Sequence, residues 1–120
     1  MTASSATRSV LVVEDEYLIR MLLEDMLDEL GYGVAAAVGT IAEARQIATD
    51  GEFSAAILDV NLDGQEIYPV ADILVGRGLP FVFVTGYGER SLPEAYRGRP
   101  ALQKPFQAEQ LKNTLAGLMA

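Results

Sequence analysis

The residues whose types and spacing suit chemistry are Glu14 and Asp15, Asp59, Thr85 and Lys104. Each stands at or next to the end of a short apolar run: Ser9 to Val13, Ala55 to Val60, Phe81 to Thr85 and Ala101 to Lys104. Carboxylates brought within a few ångströms of one another repel, so either protons or a cation must sit among them. A hard, all-oxygen site with few protein ligands suits Mg2+, which keeps several of its waters. The backbone carbonyl of Asn61, just past Asp59, is a further candidate oxygen, giving Glu14, Asp15, Asp59 and Asn61 as the metal set. A cation screens a carboxylate enough for it to approach a phosphoryl donor. Asp59 as nucleophile then yields an aspartyl phosphate. Lys104 would meet the charge on the transferred group, and the Thr85 hydroxyl would donate to another of its oxygens.

Such chemistry requires elements that bring those positions to one rim. Strand-like and helix-like segments alternate along the chain. Ser9 to Val13 reads as a strand buried on both faces. Ile19, Leu22, Leu23, Met26, Leu27 and Leu30 recur at helical spacing, with Gly31 placed to stop the helix. Gly33 to Val38 is a second strand, and Thr40 with Glu43 forms a capping box before a helix over Ile41 to Thr49. Ala55 to Val60 is the third strand, and Asn61-Leu62-Asp63-Gly64 reads as a turn. Pro69 opens a helix with Val70, Ile73 and Leu74 on its apolar face, ended by Gly76 and Gly78. Phe81 to Thr85 is the fourth strand. Gly88, Pro93 and Gly98 leave a short or frayed helix over residues 87–100. Ala101 to Lys104 is a brief fifth strand, and Glu109 to Met119 a last helix. The reading is a doubly wound α/β domain: five parallel strands with helices on both faces. In such sheets ligands bind beyond the carboxyl ends of the strands. Residues 1–8 read as a flexible tail, and residues 9–119 as one domain.

Composition removes several function classes. The chain has 9 Lys and Arg against 17 Asp and Glu, for a net charge of −8, and contains neither Cys nor His. Disulfides, thiolate zinc sites, thiol nucleophiles and imidazole general bases are therefore excluded. The acidic balance opposes direct nucleic-acid contact and anionic membrane surfaces. The run Val10 to Val13 is too short for a signal segment, and no stretch approaches the ~20 apolar residues of a membrane span. A cytoplasmic location is the expectation.

The pieces Val12-Val13-Glu14-Asp15, Leu58-Asp59-Val60-Asn61-Leu62, Val84-Thr85-Gly86 and Lys104-Pro105-Phe106, taken in order and by placement, resemble the response-regulator receiver domain of two-component signalling. The resemblance runs from about residue 9 to 119. It implies a flavodoxin-like fold with strand order 2-1-3-4-5. It also implies that Glu14 and Asp15 are metal-binding acids and that Asp59 accepts the phosphoryl group and touches Mg2+. Thr85 becomes the switch hydroxyl and Lys104 the phosphate-contacting lysine, with a Lys104–Pro105 bond of a kind often cis in the family. The implied partners are a sensor histidine kinase or phosphotransfer protein and a downstream protein. With no output domain after residue 119, the signal is expected to leave by protein contact or onward phosphotransfer. Receivers usually carry Tyr or Phe three residues before the lysine, where this chain has Ala101. The stretch Pro80 to Gly88 resembles a subgroup with a Phe-Ala-Thr-Gly-Tyr signature, Val84 standing for its Ala. That subgroup is associated with single-domain regulators in alphaproteobacteria, often near stress-signalling kinases, and would assign the change of shape to Tyr87 and the segment after it.

Plainer readings compete residue by residue. Asp15 could cap the first helix, Asp59 could start a turn, Thr85 could finish a strand, and Tyr87 and Tyr96 could be partial core. Asp63 and Gly64 read as turn alone. Two other functions compete with the phosphoacceptor. One is a small phosphatase with an Asp nucleophile, for which Asn61 stands where a general acid is often found and cannot supply the proton. The other is a pseudo-receiver, a docking module that is never phosphorylated.

Overall fold

The computed structural model describes residues 8–62, 64–86 and 92–119. In chain order these form β1 (Ser9–Val13), α1 (Tyr17–Glu29), β2 (Gly33–Val38), α2 (Ile41–Asp50) and β3 (Ala55–Asp59), then β4 (Asn61–Leu62) and β5 (Gln65–Glu66). There follow α3 (Tyr68–Arg77), β6 (Phe81–Thr85), a 3-10 turn (Glu94–Tyr96), β7 (Ala101–Gln103) and α4 (Ala108–Leu118). The main sheet has five strands in the order β2-β1-β3-β6-β7. Every pairing in it is parallel. The expected flavodoxin-like order is therefore present.

Two cores explain the apolar runs. Successive residues of a strand face opposite sides of a sheet. Leu11, Val13, Ala56, Leu58, Phe81 and Phe83 pack against Ala44 and Ala48 of α2 and Val70, Ala71 and Leu74 of α3. Val10, Val12, Ala55, Ile57, Val82 and Val84 pack against Leu23 and Leu27 of α1 and Leu111 and Leu115 of α4. Both faces are covered, so β1, β3 and β6 lack the polar alternation of a half-exposed strand. Burying one such Leu contributes about 1.5–3 kcal/mol.

The helix ends follow local chemistry. Thr40 Oγ1 accepts from the Glu43 N–H at 3.2 Å, which is the forward half of the expected capping box; in place of the return bond to the Thr40 N–H, Glu43 Oε1 accepts from the Thr40 hydroxyl at 3.0 Å. The far end of α2 is held from outside: Arg77 of α3 donates to the carbonyls of Ala48 and Gly51 and lies over the Phe53 ring. These carbonyls have no partner within the helix, which is why a cation suits them.

Some expectations shift. β3 ends at Asp59, one residue before Val60. The expected turn at 61–64 belongs to a small antiparallel hairpin of β4 and β5. Gly76 lies inside α3; Gly78 ends the helix, because only there is the left-handed φ of +72° required. Within the described part of 87–100 the one helical element is the 3-10 turn. Arg8, read as the end of the tail, is engaged: its carbonyl accepts from the Gly33 N–H at 2.8 Å, and its guanidinium donates to the Met119 carbonyl. Residues 1–7 lie outside the described residues. Among the described residues no helix is long and apolar enough to cross a membrane.

Candidate functional site: an acidic cleft at the strand ends

The parallel register puts the ends of β1, β3 and β6 side by side. Glu14 follows β1 directly, and its N–H continues the ladder to the Val38 carbonyl at 3.0 Å. Its side chain is only 1% exposed. Glu14 Oε2 accepts from the Glu16 N–H at 3.1 Å, and its backbone carbonyl accepts from Arg20 Nη1 at 2.7 Å. Gly39 makes room for that arginine: a Cβ there would stand 2.6 Å from Nη1. Asp59 closes β3, buried, with the Asn61 N–H donating to its Oδ1 at 3.3 Å. Thr85 closes β6, also buried, and its carbonyl accepts from the Lys104 N–H at 2.8 Å. Lys104 follows β7, and the Lys104–Pro105 bond is cis.

Lys104 Nζ lies 2.9 Å from Glu14 Oε1 and 3.4 Å from Asp59 Oδ2. Carboxylate oxygens of Glu14, Asp15 and Asp59 lie within 4.8 Å of one another. Burial, then the hydrogen bond and charge of Glu14, push the Asp59 carboxyl up from 3.8 to about 7; the Lys104 charge and the Asn61 N–H offset only part of this. For Lys104, burial alone pulls downward, but the hydrogen bond to Glu14 and the charges of Asp59 and Glu14 outweigh it and raise its pKa. One ammonium thus leaves the acids short of positive charge. The donors are hard carboxylate oxygens, with no nitrogen or sulfur among them, which fits Mg2+.

Beside Asp59 opens a cleft of about 380 Å³, walled by Asn61, Glu66, Tyr68, Thr85 and Gly86 among others. The β4–β5 hairpin forms one side. Asn61 Oδ1 accepts from the Gly64 N–H at 2.9 Å, and Gly64 has φ +83°, so the turn is closed by its own side chain. Tyr68, the first residue of α3, also lines the cleft. Partial burial, then the Glu66 carboxylate, raise the pKa of its hydroxyl, so it stays protonated.

The structure gathers Glu14, Asp15, Asp59 and Lys104 into one cluster and sets Thr85 and Asn61 along the adjoining cleft. The helix-capping position falls to Glu16, without a side-chain cap bond, and not to Asp15. Asp63 and Tyr87 lie outside the described residues. Tyr96 is buried and donates its hydroxyl to Asp72. Arg20, Gly39 and Tyr68 were not singled out from the sequence. Gly39, directly after a strand and before a cap, was the one signal available for the first pair; nothing local marked Tyr68.

Comparison with known proteins gives a consistent answer. Residues 10–116 match the family model of the response regulator receiver domain. The phyllosphere-induced regulator PhyR of Methylorubrum extorquens is 37% identical over 110 residues, 88% of this chain and 41% of PhyR. The chain thus spans less than half the length of that relative. The solution structure of SdrG from Sphingomonas melonis Fr1 has a TM-score of 0.83 at 45% identity, over 96% of this chain and 98% of SdrG. The receiver domain of the sensor histidine kinase PA1611 from Pseudomonas aeruginosa PAO1, solved with a magnesium ion coordinated in its active site cleft, has a TM-score of 0.81 at 26% identity, over 95% and 98% of the two chains.

Proposed function

The chain belongs to the response regulator receiver domains, and from that premise we propose that it is a phosphoacceptor module taking a phosphoryl group onto Asp59. The observation that carries this is the shared ammonium: Lys104 contacts both Glu14 and Asp59, and Asp59 in turn lines the cleft that also holds Thr85. The Asp59 carboxylate attacks phosphorus in line, and its new P–O bond forms as the P–N bond of a phosphohistidine donor breaks. The imidazole nitrogen keeps the electron pair and takes a proton. Lys104 exchanges part of its contact with Asp59 for a phosphoryl oxygen, and the Thr85 hydroxyl donates to another.

Glu14, Asp15, Asp59 and the Asn61 carbonyl would hold Mg2+, which when bound supplies charge neutralisation for the carboxylates and the incoming phosphoryl group. Without it, a carboxyl titrating at about 7 is only partly ionised at neutral pH and is a poor nucleophile. No separate substrate is needed, so the module is not an enzyme in the ordinary sense. Residues 9–119 form the functional unit. A protein donor is supported by the surface near Lys104, where Leu22 of α1 is 52% exposed. An apolar groove of about 440 Å³ runs between α1 and Pro105-Phe106. Exposed apolar side chains around a groove are what a protein partner covers. A sensor kinase or phosphotransfer protein upstream, a protein partner downstream and a cytoplasmic setting complete the proposal.

The test is intact mass after incubation with acetyl phosphate or phosphoramidate, with and without Mg2+, beside Asp59→Asn. The expected result is one Mg2+-dependent phosphoryl group, absent from the variant. An unlabelled protein that folds and binds Mg2+ would point to a docking module instead. Steady release of phosphate from a phosphomonoester would revive the phosphatase.

A further inference from the structure

Among the described residues lining the cleft over Asp59, Tyr68 is the largest. Its ring does not stand alone. It stacks on Tyr96, with centroids 5.5 Å apart and planes 18° from parallel, and meets Phe83 edge-on at 6.0 Å. Tyr96 is itself edge-on to Phe83 at 5.5 Å, and its hydroxyl donates to Asp72. Asp72 lies one helical turn after Tyr68, on the same face of α3. Tyr96 therefore grips α3 at two successive positions, by stacking at the first and by a hydrogen bond at the second. Ala101 pairs in register with Phe83 and packs against the same cluster.

We propose that Tyr68 is a positioning residue that sets the lifetime of the phosphoryl group on Asp59, walling the cleft against hydrolytic water and held in place by Tyr96. This rests on Asp59 being the acceptor. In hydrolysis a water oxygen bonds to phosphorus as the bond from phosphorus to the Asp59 oxygen breaks. The electron pair returns to the carboxylate, and the water protons leave on inorganic phosphate. Attack comes from the side opposite the Asp59 oxygen. Asp59 and Tyr68 line the same cleft, so a water that attacks from the cleft passes the Tyr68 ring. A ring fixed on two sides keeps a narrower opening than one free to turn, and water order at the reacting atom changes with it.

The experiment follows decay of the phosphoryl group after the small donor is removed, in wild type and in Tyr68→Phe, Tyr68→Leu, Tyr68→Ala and Tyr96→Ala. Mg2+ affinity is measured alongside by calorimetry. Tyr68→Phe should decay at the wild-type rate, since the ring is the wall. Tyr68→Ala and Tyr96→Ala should decay about five- to tenfold faster, with Tyr68→Leu between, while Mg2+ affinity stays within about twofold. Tyr68→Leu keeps apolar bulk and tests the wall if the alanine variant does not fold. Wild-type decay in the Leu and Ala variants would overturn the inference, as would a loss of Mg2+ affinity in step with the faster decay. Failure of the wild type to take label would instead overturn the acceptor assignment, before any variant is compared.

Discussion

Replacing Asp59 by Asn should stabilise the metal-free protein at pH 8. In the folded chain this carboxyl titrates at about 7, against an ordinary 3.8, because burial and Glu14 disfavour its charge. Keeping it ionised above pH 7 therefore costs at most about 4 kcal/mol relative to the unfolded chain, at about 1.4 kcal/mol for each tenfold change in proton affinity. The cleft opens to solvent, which screens the charge, so about 2 kcal/mol is the working figure. The sign follows from proton counts. Between pH 3.8 and about 7 the folded protein holds a proton that the unfolded chain has lost, so wild-type stability falls as pH rises through that window and levels off above it. Asn carries no charge at any pH and removes the penalty. At about 2.1 cal/mol/K of unfolding entropy per residue, 2 kcal/mol corresponds to a Tm gain of roughly 8 °C. The assay is thermal unfolding by far-UV circular dichroism in EDTA, at pH 8 and pH 5. The gain should be smaller at pH 5 than at pH 8. Mg2+ at a hundred times its Kd adds about 2.7 kcal/mol to the wild type and should reverse the order. An Asp59→Asn variant less stable than wild type in EDTA at pH 8 would refute the reasoning.

Lys104→Met removes the ammonium between Glu14 and Asp59. Breaking a buried pair costs about 3–5 kcal/mol, and because the Lys104 side chain is 25% exposed a loss of about 2 kcal/mol is expected in EDTA by urea unfolding. The same variant should bind Mg2+ more tightly, about tenfold by calorimetry, since a competing positive charge is gone. Gly39→Ala and Gly51→Ala separate two kinds of crowding. At Gly39 the obstacle is the mobile end of Arg20, for a loss of about 1 kcal/mol, the worth of its hydrogen bond. At Gly51 it is the Ile47 backbone carbonyl at 2.7 Å, so a helix end must move, for about 2–3 kcal/mol; equal losses by denaturant titration would refute the distinction. Leu115→Ala, fully buried between α4 and the sheet, should cost about 3 kcal/mol in the same titration.

The strands were legible because both faces of the sheet are covered. Val10 to Val13 and Phe81 to Val84 could be continuously apolar only there, and the polar residue ending each run fell at the rim by the same logic. Glu14, Asp59, Thr85 and Lys104 were readable as a set for that reason. The β4–β5 hairpin was not, since two residues per strand show no period. Gly76 and Gly78 look alike as letters, and only φ separates them. Tyr68 and Tyr96 meet through the crossover from α3, and no local pattern encodes a stack between two loop-flanked rings. Arg20 and Gly39 meet for the same reason, across the β1–β2 edge.

The long span between Lys104 and its partners bears on how the chain is made. Lys104 follows Glu14 by 90 residues and Asp59 by 45. At a ribosomal pace of about 5–20 residues per second, roughly 2–9 s pass between the synthesis of Asp59 and that of Lys104. Throughout that interval β1 and β3 can pair, bringing their acids together with no ammonium from the chain to face them. The nascent rim draws its neutralising charge from ions in solution, and β7 adds the Lys104 ammonium to that charge on arrival. Divalent ions should accordingly speed the early pairing of β1 with β3 more than the docking of β7.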